Sequence, residues 1–177
     1  MYKFKEENQE TSFAWGNLGD IKLGRANLGE DMPVSVYRLF QFTMRDILTR
    51  DFGVEKTSDL FRRAGELSGR EFCKNLLDKT QSFDMFVAQL QKTLKDLKIG
   101  ILRIETADLE KLDIVLTVEE DLDCSGLPIT DESVCDYDEG FISGILNEYT
   151  GKTFITREID CWATGERVCR FKAGIAE

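Results

Sequence analysis

The chain of 177 residues contains no histidine. That absence removes Ser-His-Asp triads, Cys-His pairs and histidine-ligated haem, on which many hydrolases and haem proteins are built. With two prolines there is no proline-rich tract, and no repeat or low-complexity linker interrupts the chain. Basic residues are in deficit, 23 Lys and Arg against 33 Asp and Glu for a formal charge of -10. Nucleic-acid backbones and anionic bilayers need basic patches, so neither is expected as a partner. No apolar run approaches the ~18 residues of a membrane span, and the opening Met1-Tyr-Lys-Phe-Lys-Glu-Glu-Asn lacks the apolar stretch of a signal segment. A cytoplasmic location follows as the expectation. There the five cysteines stay reduced, which makes them candidates for metal ligands or reactive thiols rather than disulfides.

Composition is otherwise that of a globular protein, 42% hydrophobic and 32% charged, enough for one domain over 1–177 with a full core. Residues 1–30 mix four glycines with short apolar pieces and read as a poorly defined segment of turns, with an edge strand at Ile21-Lys-Leu23. From Pro33, apolar residues at Val34, Val36, Phe40, Met44 and Leu48 recur at helical spacing up to Gly53. A second helix is expected from a cap at Thr57 or Ser58 through Leu76, and a third after Ser82, with Phe83, Phe86, Leu90 and Leu94 on one face before Gly100. The texture then turns β-branched at Ile101–Glu105 and Leu112–Val118. Tyr137 to Tyr149 has helix period, and strands are expected at Thr153–Ile159 and Arg167–Lys172. The predicted class is α+β: N-terminal helices, then a mainly antiparallel four-stranded ββαββ sheet covered by helices.

The last quarter carries the chemistry. Cys135 falls at the start of a predicted helix, Glu158 and Cys161 at the end of a strand, and Cys169 on its hairpin partner. A three-residue turn over Thr164-Gly-Glu166 sets Cys161 and Cys169 opposite one another, with Cβ atoms about 5 Å apart, which suits two ligands of a tetrahedral ion. Glu158 and Cys161 are three apart and fall on opposite faces of a regular strand, so a bulge near Ile159 or Asp160 is required. Cys135, Glu158, Cys161 and Cys169 then form a closed, structural zinc site. Burial as small hydrophobes is the plainer alternative for these cysteines. Cys124 competes with Glu158 as fourth ligand, and Cys73 reads as core packing.

Three further features need weighing. Gly65/Gly69 and Gly140/Gly144 lie four apart in predicted helices, where each costs roughly 1 kcal/mol against alanine. Close approach of another backbone explains them most simply, and room for a ligand is the other explanation. Asp121 to Glu132 matches a calcium loop at several positions, but a strand rather than a helix precedes it, so the match is discounted. Phenylalanine is abundant at 12 residues, and Phe40, Phe61, Phe72, Phe83, Phe86 and Phe141 all fall on apolar helix faces suited to the core.

The run Cys135-Asp-Tyr-Asp-Glu-Gly140-Phe-Ile-Ser-Gly144, followed by Glu158-Ile-Asp-Cys161-Trp-Ala-Thr-Gly165-Glu-Arg-Val-Cys169-Arg-Phe171, resembles the 4-vinyl reductase domain family. The likeness covers roughly 124–173 and marks 115–175 as a core of that type. In the family's phenol-sensing members, at the front of bacterial transcription activators, a Cys, a Glu and two Cys bind zinc. The resemblance therefore implies Cys135, Glu158, Cys161 and Cys169 as zinc ligands, a homodimer, and a fold related to acyl-holding trafficking subunits and nitric oxide sensors. It also implies a cavity for a small apolar or aromatic molecule, expected beside Gly140 and Gly144 and bordered by Phe86, Phe141 or Trp162. A ligand-sensing module is thus the first expectation, reporting through a dimer or a separate partner. The alternatives are an accessory role in tetrapyrrole vinyl reduction or a ligand-free scaffold. Intrinsic reductase activity is not expected, since no G-x-G-x-x-G motif is present to hold a hydride donor.

Overall fold

The computed structural model describes residues 13–130 and 132–176. The opening polar segment up to Asn8 therefore lies outside the described residues. The chain divides into two compact units, Met1–Glu30 and Asp31–Glu177, at the boundary that composition suggested. The first unit holds a 3-10 turn at Trp15–Leu18 and a single helical turn, α1 (Ile21–Gly24), whose Leu23 N–H is capped by Asp20. Ile21-Lys-Leu23 is accordingly helical and not an edge strand, because that Asp20 cap closes a turn locally.

In the second unit, α2 (Val34–Phe52), α3 (Val54–Leu76) and α4 (Phe83–Asp96) precede β1 (Ile101–Asp108) and β2 (Asp113–Glu119). Then follow α5 (Asp136–Thr150), β3 (Phe154–Asp160) and β4 (Cys169–Ile175). The α+β class with a four-stranded antiparallel sheet is as expected, with strand order β1-β2-β4-β3. The start of α3 differs from the expectation of a Thr57 or Ser58 cap. Gly53, at φ 82, reverses the chain directly between α2 and α3, and Thr57 instead returns its hydroxyl to the Gly53 carbonyl. Only a residue without Cβ takes that backbone freely.

One face of the sheet, built from Leu102, Ile114, Leu116, Val118, Phe154, Cys169, Phe171 and Ala173, is buried under α4 and α5. The helices supply Phe86, Leu90, Leu94, Ile142, Ile145 and Leu146. Across the sheet run charge pairs such as Arg103–Glu119, Arg170–Glu105 and Lys172–Asp113.

β3 is an edge strand, yet its edge is closed. Phe154, Thr156 and Glu158 donate their N–H groups to the side chains of Asn147, Ser143 and Glu139, at 2.6, 3.0 and 2.8 Å. Every second residue of a strand advances about 6.7 Å and every fourth of a helix about 6 Å, so one polar stripe on α5 serves three strand donors. That stripe explains three buried polar residues on a core helix.

The opposite face of α5 lies against α3 at backbone contact. A Cβ placed on Gly140 would stand 1.9 Å from the Arg62 carbonyl oxygen and one on Gly144 2.2 Å from that of Glu66. On α3, Gly65 and Gly69 would meet the Tyr137 and Phe141 carbonyls at 2.0 and 2.1 Å. The four glycines therefore interleave two backbones. Gly140 and Gly144, expected to border a ligand space, face α3 instead, and close packing accounts for them. Two phenylalanines also divide: Phe86 is 1% exposed and Phe40 64%, so Phe40 is not core.

We expect Gly140→Ala and Gly69→Ala each to cost about 2 kcal/mol or more by overpacking rigid backbone, lowering Tm by roughly 4–8 °C. Gly174→Ala, where an added Cβ meets nothing within 4 Å, should leave Tm within about 2 °C by thermal unfolding.

Candidate metal centre and adjoining cavity

The required bulge is present. β3 pairs Glu158 with Phe171 and then Asp160 with Arg170, skipping Ile159. Continued one step, that shifted register sets Cys161 opposite Cys169; without the extra residue, Asp160 would take the inward position. The connection differs from a three-residue turn. It spans residues 161–168, with a 3-10 turn at Trp162–Thr164 and Gly165 at φ 104. Cys161 accepts from Thr164 and Glu166 through its carbonyl, which folds the loop back over the thiols.

Cys124, Cys135, Cys161 and Cys169 are all buried and free, and their four sulfurs lie within 4.8 Å of one another. Cys135 Sγ is 3.8 Å from both Cys161 Sγ and Cys169 Sγ. Four thiolates around a tetrahedral ion at about 2.3 Å stand about 3.8 Å apart, so these two edges have zinc dimensions. Cys124 Sγ is nearer to Cys169 Sγ, at 2.9 Å. The group differs from the expected ligands in one member: Cys124 completes it where Glu158 was expected. Glu158 stands beside the thiols, with Oε2 taken by the Ser133 hydroxyl and Oε1 buried without a partner among the described residues. Burial pushes its carboxyl up to about 8, against the Ser133 bond and with the Cys161 charge. Among the sulfurs, hydrogen bonds from Cys124, Cys135 and Cys169 lower the Cys161 thiol, while Cys135 and Cys169 are raised. Without an ion four adjacent thiols cannot all ionise, and a soft divalent cation removes that conflict.

Cys124 is held by the turn after β2. The Asp121 carboxylate accepts from the N–H groups of Asp123 and Cys124 at 2.8 and 3.2 Å. Asp123 in turn accepts from Tyr37 Oη at 2.8 Å and Gln41 Nε2 at 2.6 Å, and Arg38 donates to the carbonyls of Leu122 and Ser125. The apparent calcium loop thus spends its acids on protein donors. Trp162 donates to the Leu127 carbonyl at 3.1 Å and lines a groove with Arg38, Leu122 and Arg167. It pins this loop and takes no part in the cavity, contrary to expectation.

Cys135 precedes the first turn of α5, whose Asp136, Asp138 and Glu139 complement the helix N-terminus. Asp136 accepts from Arg45 at 2.7 Å, Arg62 at 2.6 Å and Ser58 at 2.9 Å. One carboxylate therefore joins α2, α3 and α5 beside the thiols.

A cavity of about 50 Å³ lies between α4, α5 and the sheet, against the about 10–15 Å³ that one water needs. Phe86 and Phe141 line it as expected, together with Leu90, Leu116 and Ile145. Asp121 and Asp138 are its polar wall residues, and their carboxylates lie within 4.8 Å of each other and of Cys135 Sγ. Burial raises Asp121 to about 7, helped by Asp123, and raises Asp138 well above the carboxylate range. Sequence reasoning missed both as cavity residues. Their one signal was position, three residues before Cys124 and three after Cys135.

With the geometry described, comparison places the chain among known proteins. The 4-vinyl reductase domain family matches residues 114–175, which bears out the resemblance. Two uncharacterized proteins of Methanocaldococcus jannaschii are 26% and 25% identical over 150 residues, 85% of this chain and 82% and 80% of theirs. The fold is shared with a vinyl-4-reductase family protein of the same organism, at TM-score 0.59 and 17% identity over 85% of both chains. It is shared too with the phenol-responsive sensory domain of the transcription activator PoxR, solved with phenol, at 0.61 and 19% over 81% of this chain and 75% of that one. A trafficking protein particle complex subunit 3 from Naegleria fowleri, covalently bound to palmitic acid, gives 0.65 and 10% over 81% and 95%.

Replacing Asp136 by Ala strands the Arg45 guanidinium, whose side chain is 17% exposed. We expect a loss of about 3–5 kcal/mol in denaturant unfolding, whereas Asp59→Ala, on an exposed pair with Lys56, should cost about 1 kcal/mol or less.

Proposed function

We propose, for a chain whose residues 114–175 match the 4-vinyl reductase domain family, that this protein is a zinc-stapled module that binds a small apolar or aromatic molecule and works as a homodimer. The cavity carries the reading: an apolar space walled by Phe86, Phe141 and the sheet, directly beside the thiol group. Likeness of fold to the PoxR sensory domain with phenol and to the palmitate-bound trafficking subunit supports it.

Cys124, Cys135, Cys161 and Cys169 would hold the zinc. Bound there, the ion cross-links the loop after β2, the start of α5 and the β3–β4 connection, and its binding energy becomes folding energy. Glu158 sits next to this set and contributes an acceptor, not the fourth bond. Elemental analysis should find one zinc per chain, lost with a Tm fall of more than about 5 °C in Cys124→Ser and Cys161→Ser but kept in Glu158→Gln. Metal-free protein purified without chelator would sink the staple, and zinc lost in Glu158→Gln but kept in Cys124→Ser would restore Glu158 as the ligand.

Pairing is proposed through α2, which is built inside out. Its polar Tyr37, Arg38, Gln41 and Arg45 turn inward to the loop and to α5. Val36, Leu39, Phe40 and Ile47, at helical spacing, are 51%, 67%, 64% and 51% exposed. A self-complementary apolar stripe is the common basis of an isologous dimer. Sedimentation should give a dimer at micromolar concentration and a monomer for Phe40→Glu. A monomeric wild type would remove the dimer.

A further inference from the structure

The cavity is polar at one end. Five of its residues, Asp138, Phe141, Ile142, Ile145 and Leu146, run along α5, and Phe83 closes the other end beside Tyr149. From Asp138 to Tyr149 is about 16 Å along the helix axis. Phe83, Val87 and Ile104 also line a surface groove between α4 and β1, so the apolar end lies toward solvent and the acidic end is deep.

At the deep end the two carboxylates are not equivalent. Asp121 is committed to the N–H groups of Asp123 and Cys124. Asp138 Oδ2 is buried and has no hydrogen-bond partner among the described residues. Such an oxygen costs about 1–3 kcal/mol unless something donates to it.

We propose that Asp138 Oδ2 is the anchor for the head group of the bound molecule, and that this group is a neutral hydroxyl. The proposal deepens the ligand-binding reading above and rests on it. A hydroxyl brings one O–H donor to the one free acceptor. An ammonium brings three donors and a charge, which an otherwise apolar wall leaves unsatisfied. A carboxylate brings only acceptors and a charge of the same sign as Asp121, Asp123 and Asp138, so fatty and aromatic acids are rejected at this end. The ligand class is therefore an apolar alcohol or phenol entering with its hydrocarbon part toward Phe83 and Val87.

Three probes of similar size test this by calorimetry on the full metal-loaded chain: phenol, toluene and benzoate. Phenol should bind at least about tenfold more tightly than toluene, and benzoate should give no detectable binding. Asp138→Ala should erase the preference by weakening phenol about tenfold while leaving toluene unchanged. If that variant does not fold, the near-isosteric Asp138→Asn, a weaker acceptor, should reduce the preference to about threefold. Equal affinity for phenol and toluene in the wild type overturns the anchor and leaves the cavity reading standing, as does a preference undiminished in both variants. Binding of neither phenol nor toluene overturns the cavity reading, and the anchor falls with it.

Discussion

The distance between α3 and α5 is the constraint from which the site follows. Four glycines let carbonyl oxygens of one helix occupy the space where side chains of the other would stand. With that separation fixed at backbone contact, α5 is fixed in height above the sheet. Its stripe of Glu139, Ser143 and Asn147 reaches the β3 donors, and its first residue, Asp136, reaches Arg62 of α3 and Arg45 of α2. Cys135, one residue earlier, is delivered to the sulfurs of the β3–β4 connection by the same geometry. A methyl group on any of the four glycines would lift α5 and separate all of these partners together.

Around the thiols the chain arranges two kinds of acid. Asp121, Asp123 and Asp136 are saturated by donors and hold loop and helix in place. Glu158 and Asp138 each keep one buried oxygen unpartnered among the described residues. The first kind builds the site, and the second is what the site presents, Glu158 toward the sulfurs and Asp138 toward the cavity. The apolar ligand space and the metal group are therefore adjacent through Asp121 and Asp138, and neither can shift without the loop that carries Cys124.

Much of this was legible in the sequence because it is local. Helical period, β-branched runs and the order of elements give the class, and the three-residue spacing of Glu158 and Cys161 requires a bulge that the register confirms at Ile159. What was not legible depends on what lies opposite. The apolar period of α2 looked like a core face, but its polar residues find loop carbonyls and Asp123 inside, which leaves Phe40 outside. The glycine pairs fitted either a helix or a ligand as neighbour, and their spacing is the same in both cases. Cys124 against Glu158 turned on how the Asp121 turn folds back, a contact between segments more than thirty residues apart. Trp162 went to a loop carbonyl for the same reason, since a single indole N–H takes whichever acceptor tertiary structure provides.

The α5 stripe along β3 has a consequence for how this protein fails. An edge strand with free N–H groups is a template for another chain, and here three of those groups are held by side chains rather than by backbone. At the other edge, β1 carries its own irregularity between Ile104 and Thr106 and charged Arg103 and Glu105, which blunt it for pairing. The sheet is thus closed to growth only while α5 is seated. Partial unfolding that releases this one helix opens the β3 edge and bares Phe154 and Phe171 at the same moment. Aggregation on heating would then begin from a helix leaving, with the sheet still intact.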